Sequence, residues 1–267
     1  MKREIQIFFT ALMFYTRVPV PKGVEFNKEY SKKSIKYLPL IGLFVGCFSA
    51  LILTLMLTIL PVSIAVTLSM IYSLLITSAF HEDGLADTAD GFGGGWNKEK
   101  ILLIMKDSTI GTYGAIALIM GLFLKFQLLV ALVELPEANG IPTYYFILFV
   151  LLAGHSVSRL MPICTMITHE YARLNDDTSK LKSITPEGLK WTSPDFIFAF
   201  VLAVFPLFLF ETPYVLLLII PIYITKVILI RLFNKWIGGY TGDCLGAIQQ
   251  ICEIIFYLSI FLLWKYI

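Results

Sequence analysis

Asp83, Asp87 and Asp90 are the residues whose type and spacing point most clearly to chemistry. They lie in the polar run 81–95. Positions i, i+4 and i+7 fall on one side of a helix, so a helical run would carry three carboxylates in one stripe. Like charges so spaced repel, and more strongly beside a membrane, so we expect a cation among them. Oxygen ligands favour Mg²⁺, which takes one or two carboxylates, waters and phosphate oxygens. The stripe predicts a magnesium site; a solvated acidic helix end is the alternative.

Glycines follow the acidic stripe directly, at Gly91, Gly93, Gly94 and Gly95. We expect them to end the helix and to let backbone amides approach a ligand closely, as in a phosphate-facing loop. A flexible turn is the alternative. Neither G-x-x-x-x-G-K-[ST] nor G-x-G-x-x-G occurs, so the usual nucleotide-binding folds are not indicated.

Two further segments carry polar groups that could serve a phosphate site. Lys106 could neutralise phosphate, and Asp107 could be another metal ligand or a general base for a hydroxyl nucleophile. The alternative is that Asp107 only caps the next helix. Asp243 and Glu253, near the end of the chain, could complete the acidic site. For Asp243 the alternative is a helix N-cap.

Three cations lie inside apolar segments. Arg159 requires an anion there, either a substrate phosphate or an aspartate. Lys125 and Lys226 are expected to snorkel or to pair within the protein. A transporter would use these cations as a pathway, but that interpretation leaves the acid and glycine cluster unexplained.

The elements that position these residues are membrane helices. Hydrophobic residues make up 57% of the 267 residues and charged residues 15%, whereas soluble domains carry about 25% charged residues. The segment from Ile5 to Tyr15 is too short to span a bilayer and is expected to be an interfacial or re-entrant helix. Seven segments are apolar over the length that a span needs: 38–60, 62–80, 113–133, 143–167, 195–211, 214–232 and 244–264.

Basic residues orient this bundle, because Lys and Arg collect in cytoplasmic loops. With the N-terminus inside, seventeen of the 21 basic residues lie on the cytoplasmic side, together with the long polar loops 81–112, 168–194 and 232–243. We therefore predict an all-α polytopic membrane protein, a single domain over 1–267, with about seven transmembrane helices and a cytoplasmic active face. We expect membrane lipids around it and no nucleic-acid partner.

The four cysteines, Cys47, Cys164, Cys244 and Cys252, form no C-x-x-C pair. Each lies in or beside an apolar segment, so we expect buried hydrophobic side chains rather than a disulfide or a zinc site.

Several stretches together resemble the cobalamin synthase family, also called adenosylcobinamide-GDP ribazoletransferase. The resemblance covers nearly the whole chain and is carried by the H-x-D-G-L-A-D-T-x-D-G-x-G-G-G pattern at 81–95 and by residues 16–21, 105–114 and 239–247. It implies an inner-membrane enzyme that joins adenosylcobinamide-GDP to α-ribazole or its 5′-phosphate and releases GMP, with Mg²⁺ as the metal. Association with other enzymes of cobalamin assembly is an accompanying expectation.

The resemblance and the residue chemistry together give a set of site residues. Asp83, Asp87 and Asp90 are predicted metal ligands and catalytic residues, with Asp107 a further catalytic residue. The predicted substrate-binding residues are His81, Gly93, Gly94, Gly95, Lys106, Arg159 and Asp243. A looser likeness to CDP-alcohol phosphotransferases covers the D-x-x-D-G start at 87–91, but the rest of that motif is absent; a lipid-making enzyme of that kind is the alternative.

Overall fold

A computed structural model of the chain describes residues 2–24, 27–135, 141–172, 193–210 and 212–266, and the regular elements in these ranges are helical. The short 3₁₀ turns are Ile35–Tyr37, Phe205–Leu209 and Pro213–Leu218. The helices are α1 (Lys2–Tyr15), α2 (Lys28–Ser34), α3 (Leu38–Leu57), α4 (Val62–Thr77), α5 (Phe80–Gly94), α6 (Lys98–Ile104), α7 (Thr112–Val133), α8 (Thr143–Thr168), α9 (Ser193–Val204), α10 (Ile219–Ile237) and α11 (Gly242–Tyr266).

Several of these helices are long and apolar enough to cross a membrane, which confirms the predicted fold class. Within the described ranges there are five such spans, or up to six if one bent helix pair counts as a span. The five are Lys28–Leu57, Thr112–Val133, Thr143–Thr168, Pro213–Ile237 and Gly242–Tyr266. The predicted span 195–211 corresponds to a shorter apolar segment, Pro194–Leu209. α1 has 14 residues, about 21 Å of helix, which is less than a bilayer core needs.

The sixth span is sharply bent. The predicted span 62–80 directly precedes the acidic run, but the axes of α4 and α5 differ by 86°. Between them Ser78 and Ala79 adopt left-handed φ angles of 55° and 50°, which are uncommon for residues other than glycine. The chain after α1 braces this corner, since Arg17 N–H donates to the carbonyl of Ile76 at 2.7 Å. Because of this bend, the helix that carries the acidic run lies nearly perpendicular to α4.

The centre of the bundle is α8, in which 83% of the most apolar window is buried. It packs against α3 and α11, and α11 in turn contacts α5 and α7. α5 is therefore held between α11 and α7. Outer faces carry exposed apolar side chains such as Ile119 and Phe123 on α7, as expected for helices that face lipid.

All four cysteines are free. Cys244 and Cys252 are buried and Cys164 is half-buried, but Cys47 is exposed on α3. The expectation that Cys47 is buried is therefore wrong. An apolar side chain on a membrane helix can face lipid as well as the protein interior.

Candidate active site

The acidic run is helical, because α5 extends from Phe80 to Gly94. Asp83, Asp87 and Asp90 therefore share one helix at the predicted spacing. Their accessibility falls along the stripe: Asp83 is exposed, Asp87 is half-buried and Asp90 is buried. A ligand arriving from solvent can reach the first two carboxylates, whereas the third is enclosed by protein.

Asp90 has a defined structural partner, the first turn of α7. Its Oδ2 accepts a hydrogen bond from Gly111 N–H at 2.7 Å, and its Oδ1 accepts one from Gly114 N–H at 2.8 Å. These N–H groups lie at a helix N-terminus, where backbone donors lack partners within the helix. Asp90 thus caps α7 from a neighbouring helix. A carboxylate oxygen has a second lone pair, so this cap is compatible with the predicted metal contact.

The helix ends within the glycine run, as expected, but only at Gly94, with Gly95 as its C-cap. A Cβ on Gly93 would lie 2.4 Å from Cγ of Tyr113, and one on Gly95 would lie 2.4 Å from Cγ1 of Ile101. These glycines allow α7 and α6 to pack directly on the end of α5. The expected loop is instead a helix terminus in contact with protein, because glycine leaves room for a neighbouring helix as readily as for a ligand.

Two glycines that the sequence analysis did not single out bring α5 and α11 into backbone contact. A Cβ on Gly84 would lie 2.8 Å from the carbonyl oxygen of Asp243, and one on Gly246 would lie 3.0 Å from that of His81. We call this contact the Gly84–Gly246 seam. It brings Asp243 beside the residue that follows Asp83, although the two aspartates are far apart in the chain.

At the start of α11, the Asp243 side chain accepts a hydrogen bond from the Thr241 hydroxyl at 3.3 Å. Thr241 Oγ1 also accepts from the backbone N–H of Cys244 at 3.2 Å. Thr241 is therefore the residue whose side chain caps α11, the role considered for Asp243.

Asp107 lies outside α5, in the exposed turn between α6 and α7. Its Oδ1 accepts hydrogen bonds from the backbone N–H and the hydroxyl of Thr109, at 2.9 and 2.7 Å. These bonds lower the pKa of Asp107, which makes its carboxylate a weaker proton acceptor. The alternative that Asp107 caps the next helix is wrong, because its bonds go to Thr109, which lies ahead of α7, and the N-cap residue of α7 is Gly111. Lys106 beside it is exposed.

Behind the acidic face lies a buried polar network that we call the polar core. Glu253 is its centre: Lys125 Nζ lies 2.6 Å from Glu253 Oε1, and Tyr257 and Gln249 donate hydrogen bonds to this carboxylate at 3.0 and 2.7 Å. The polar core consists of Glu82, Lys125, His155, Ser158, Arg159, Gln249, Gln250, Glu253 and Tyr257.

The contacts in the polar core decide two of the predictions made from the sequence. Lys125 pairs within the protein, as expected, whereas the hypothesis that Glu253 completes the acidic site is wrong. Glu253 lies ten residues beyond Asp243 on one helix, about 15 Å along its axis. Its carboxylate serves the buried Lys125.

Arg159 is also enclosed in the polar core, with 2% of its surface exposed. Its Nη1 donates to the carbonyl oxygen of His155 at 2.8 Å and lies 3.1 Å from the Nδ1 atom of that residue. Within the described ranges its Nε has no hydrogen-bond partner. On α5, Glu82 Oε1 accepts a hydrogen bond from Gln250 at 2.9 Å. The core therefore also ties α5 to α11.

A metal ion bound at the acidic stripe would need water or substrate oxygens as ligands in addition to protein side chains. In the part of the chain that the structure describes, no three His, Cys, Asp or Glu side chains are grouped so that they could hold a metal ion. Asp83 and Asp87 are nevertheless oxygen ligands on the accessible part of α5. This donor set fits Mg²⁺, which needs one or two carboxylates and fills its shell with water and phosphate. It does not fit a preformed three-carboxylate cage.

Comparison with known proteins gives one family and many close relatives. The family model for cobalamin-5-phosphate synthase matches residues 7–261. The adenosylcobinamide-GDP ribazoletransferase of Shewanella frigidimarina is 42% identical over 258 residues, which cover 97% of this chain and 95% of the relative. That of Shewanella amazonensis is 41% identical over 266 residues, covering 99% and 98%. No solved structure matches.

Proposed function

The chain belongs to the cobalamin-5-phosphate synthase family and joins adenosylcobinamide-GDP to ribazole, and we propose that this reaction takes place on the α5 face that carries Asp83 and Asp87. The observation that supports the proposal is the Gly84–Gly246 seam, which brings the backbone of Asp243 against Gly84, the residue that follows Asp83.

Magnesium is the metal that we propose for this face. Asp83 and Asp87 would hold it, and Asp90, the third predicted ligand, fixes the same stripe against α7 through Gly111 and Gly114. A bound Mg²⁺ would neutralise charge on the pyrophosphate of adenosylcobinamide-GDP and favour departure of GMP.

The protein's own residues position the reactants and move one proton. A hydroxyl oxygen of the ribazole sugar attacks the phosphorus that bears the cobinamide, the bond from that phosphorus to the GMP oxygen breaks, and a carboxylate of the stripe accepts the hydroxyl proton. α-Ribazole and its 5′-phosphate both carry such a hydroxyl, so we propose both as substrates. Asp107 remains a proposed alternative base, although its bonds to Thr109 lower its pKa and so make it a weaker proton acceptor.

The proposed substrate contacts surround the same face. Exposed Lys106 would meet phosphate, and Asp243 and His81 border the seam on either side. Gly93, Gly94 and Gly95 lie about one turn beyond Asp90, where a phosphate could approach the end of α5. Arg159 is buried beneath this face, so its proposed phosphate contact requires that the substrate reach the polar core.

We also propose the inner membrane as the location, with the N-terminus and the acidic face in the cytoplasm. Lys98 and Lys100 in α6 and Lys106 just after it support this orientation, because lysine collects on the cytoplasmic side. A cytoplasmic active face would meet soluble substrates directly, and other enzymes of cobalamin assembly would dock there if they associate.

The test is GMP release by the detergent-purified protein with Mg²⁺, adenosylcobinamide-GDP and α-ribazole 5′-phosphate. We expect release by the wild type, loss of release with EDTA, and at least a hundredfold lower rate for Asp87→Asn, since charge stabilisation by a metal is typically worth several kcal/mol. Glu99→Gln, an exposed acid at the start of α6, is the matched control and keeps the wild-type rate.

Two outcomes would contradict the proposal. Near wild-type release by Asp87→Asn with unchanged magnesium dependence would remove the acidic stripe from the reaction. Equal turnover of a CDP-alcohol in place of adenosylcobinamide-GDP would favour the lipid-making alternative.

A further inference from the structure

A cavity of about 350 Å³ lies between α1, α3, α8 and the 3₁₀ turn Phe205–Leu209. We call it the α1 cavity, and we propose that it binds one acyl chain of a membrane phospholipid. The proposal goes beyond the transferase reaction, because these elements are not the helix α5 that carries the acidic stripe.

The lining of the α1 cavity is apolar throughout. It consists of phenylalanine, leucine, isoleucine and proline side chains and one cysteine. Such walls offer water no hydrogen bonds, and apolar cavities of this kind stay dry. An empty cavity would leave the lining atoms without dispersion contacts on one side. A hydrocarbon group restores these contacts and needs no polar partner.

The α1 cavity opens towards the surface that faces lipid. Its floor is buried, since Leu12 and Ile41 are 7% and 1% exposed. Its rim is accessible, since Cys47 is exposed and Phe205 is 55% exposed. Beyond the rim, the exposed side chain of Leu51 continues the apolar face of α3. The solvent on this side is hydrocarbon rather than water, so a lipid chain can enter the cavity from the bilayer.

A charged cluster marks one end of the α1 cavity. Lys36 Nζ lies 2.9 Å from a carboxylate oxygen of Glu4 and 2.9 Å from one of Asp195. Phe8 and Leu40 in the lining follow Glu4 and Lys36 by four residues, about one helical turn. Because charged groups are costly inside hydrocarbon, this cluster lies at the level of the lipid headgroups. The lipid is thereby oriented, with its headgroup beside the cluster and one chain in the cavity.

The charge of the segment that leads to this cluster favours an anionic headgroup. Residues 2–36, which include α1 and α2, contain eight basic and three acidic residues. Basic segments at a membrane surface attract anionic lipids. Phosphatidylglycerol is therefore the probe used in the test.

The size of the α1 cavity suits one chain. A methylene group is similar in volume to a water molecule, at about 30 Å³, so 350 Å³ holds about twelve such groups. This is the larger part of one acyl chain, and the second chain of the phospholipid would remain on the lipid-facing surface.

The first test counts the lipids that the purified protein retains. With phosphatidylglycerol added in detergent, native mass spectrometry should show one tightly bound lipid for each wild-type chain. Leu43→Trp enlarges a side chain of the lining and should retain about tenfold less lipid, the effect typical of a steric change in an apolar pocket. Leu51→Trp, on the exposed face of the same helix, is the matched control and retains the wild-type amount.

The second test uses Cys47 as a native reporter at the rim of the α1 cavity. Its alkylation by N-ethylmaleimide in detergent, followed by peptide mass spectrometry, should slow about tenfold when phosphatidylglycerol is present at ten times its Kd. A cysteine introduced by Leu51→Cys is the matched control and should react at the same rate with and without the lipid. Cys47 itself needs no substitution, so this test decides the matter even if Leu43→Trp fails to fold.

The proposal is overturned if Leu43→Trp retains as much lipid as the wild type, or if the lipid leaves the alkylation rate of Cys47 unchanged. Equal slowing at Cys47 and at Leu51→Cys would also overturn it, because the lipid would then cover the whole face of α3 without a preferred site. A dimer in the mass spectra that Leu43→Trp dissociates would show that a second copy of the chain covers the cavity instead. Neither test depends on GMP release, so failure of this proposal and failure of the proposed acidic site are distinguishable.

Discussion

Asp90 accepts hydrogen bonds from two backbone N–H groups at the start of α7. At the residue scale this predicts a loss of stability that is separate from catalysis. Asp90→Ala should lower the free energy of unfolding by about 1–2 kcal/mol, as for the loss of a helix cap. Thermal unfolding in detergent without Mg²⁺ measures the change.

Asp83→Ala is the control for this prediction, because Asp83 is exposed on the same helix. Its unfolding free energy should stay within about 0.5 kcal/mol of the wild-type value, as for most surface substitutions. Equal stability of Asp90→Ala and Asp83→Ala would show that the cap contributes nothing measurable.

The ion pair of Lys125 and Glu253 gives a second prediction at this scale. Removing one partner of a buried pair leaves an uncompensated charge, so Glu253→Gln and Lys125→Met should each destabilise the protein by about 3–5 kcal/mol. The double variant should be less destabilised than the sum of the two, because neither charge is then left alone. Chemical unfolding of the four proteins measures the coupling, and strictly additive effects would contradict it.

At the scale of helices, the Gly84–Gly246 seam decides where the acids of α5 lie. Gly84→Ala would place a methyl group 2.8 Å from the Asp243 carbonyl oxygen, so α5 must move away from α11. We expect transferase activity to fall at least tenfold, because a displacement of about 1 Å is enough to cost up to a hundredfold.

Gly121→Ala is the matched control for the seam. A Cβ there would meet its nearest atom at 3.6 Å, an ordinary contact, and alanine is the better helix former by about 1 kcal/mol. This variant should keep full activity and equal or higher stability. Comparable activity of Gly84→Ala and Gly121→Ala would mean that close approach of α5 and α11 is not required.

At the scale of the whole molecule, orientation in the membrane is the open prediction. The test labels single cysteines, introduced into a cysteine-free background, with a membrane-impermeant maleimide. Lys98→Cys should react only after the cells have been permeabilised, because the prediction places it in the cytoplasm. Glu134→Cys, at the other end of α7, should react with a membrane-impermeant maleimide added outside. If both cysteines react from the same side of the membrane, the predicted topology is contradicted.

The sequence by itself determined the fold class and the acidic helix. Apolar segments of sufficient length and the Asp83, Asp87 and Asp90 spacing are local properties, and they correspond to membrane-length helices and to α5 in the structure. Helix formation depends on neighbours within a few residues, so a linear pattern is enough to predict it. The resemblance to the family, now confirmed over residues 7–261, also required only the linear order of motifs.

Only the tertiary structure decided which residues meet. The 86° bend after Thr77, the cap that Asp90 gives to α7 and the Glu82–Gln250 bond across 168 positions each join segments that sequence alone leaves independent. Glu253 illustrates the reason. Its acidity and position suggested the active face, but the burial of Lys125 against it settled its role, because an unpaired buried charge is too costly to leave without a partner.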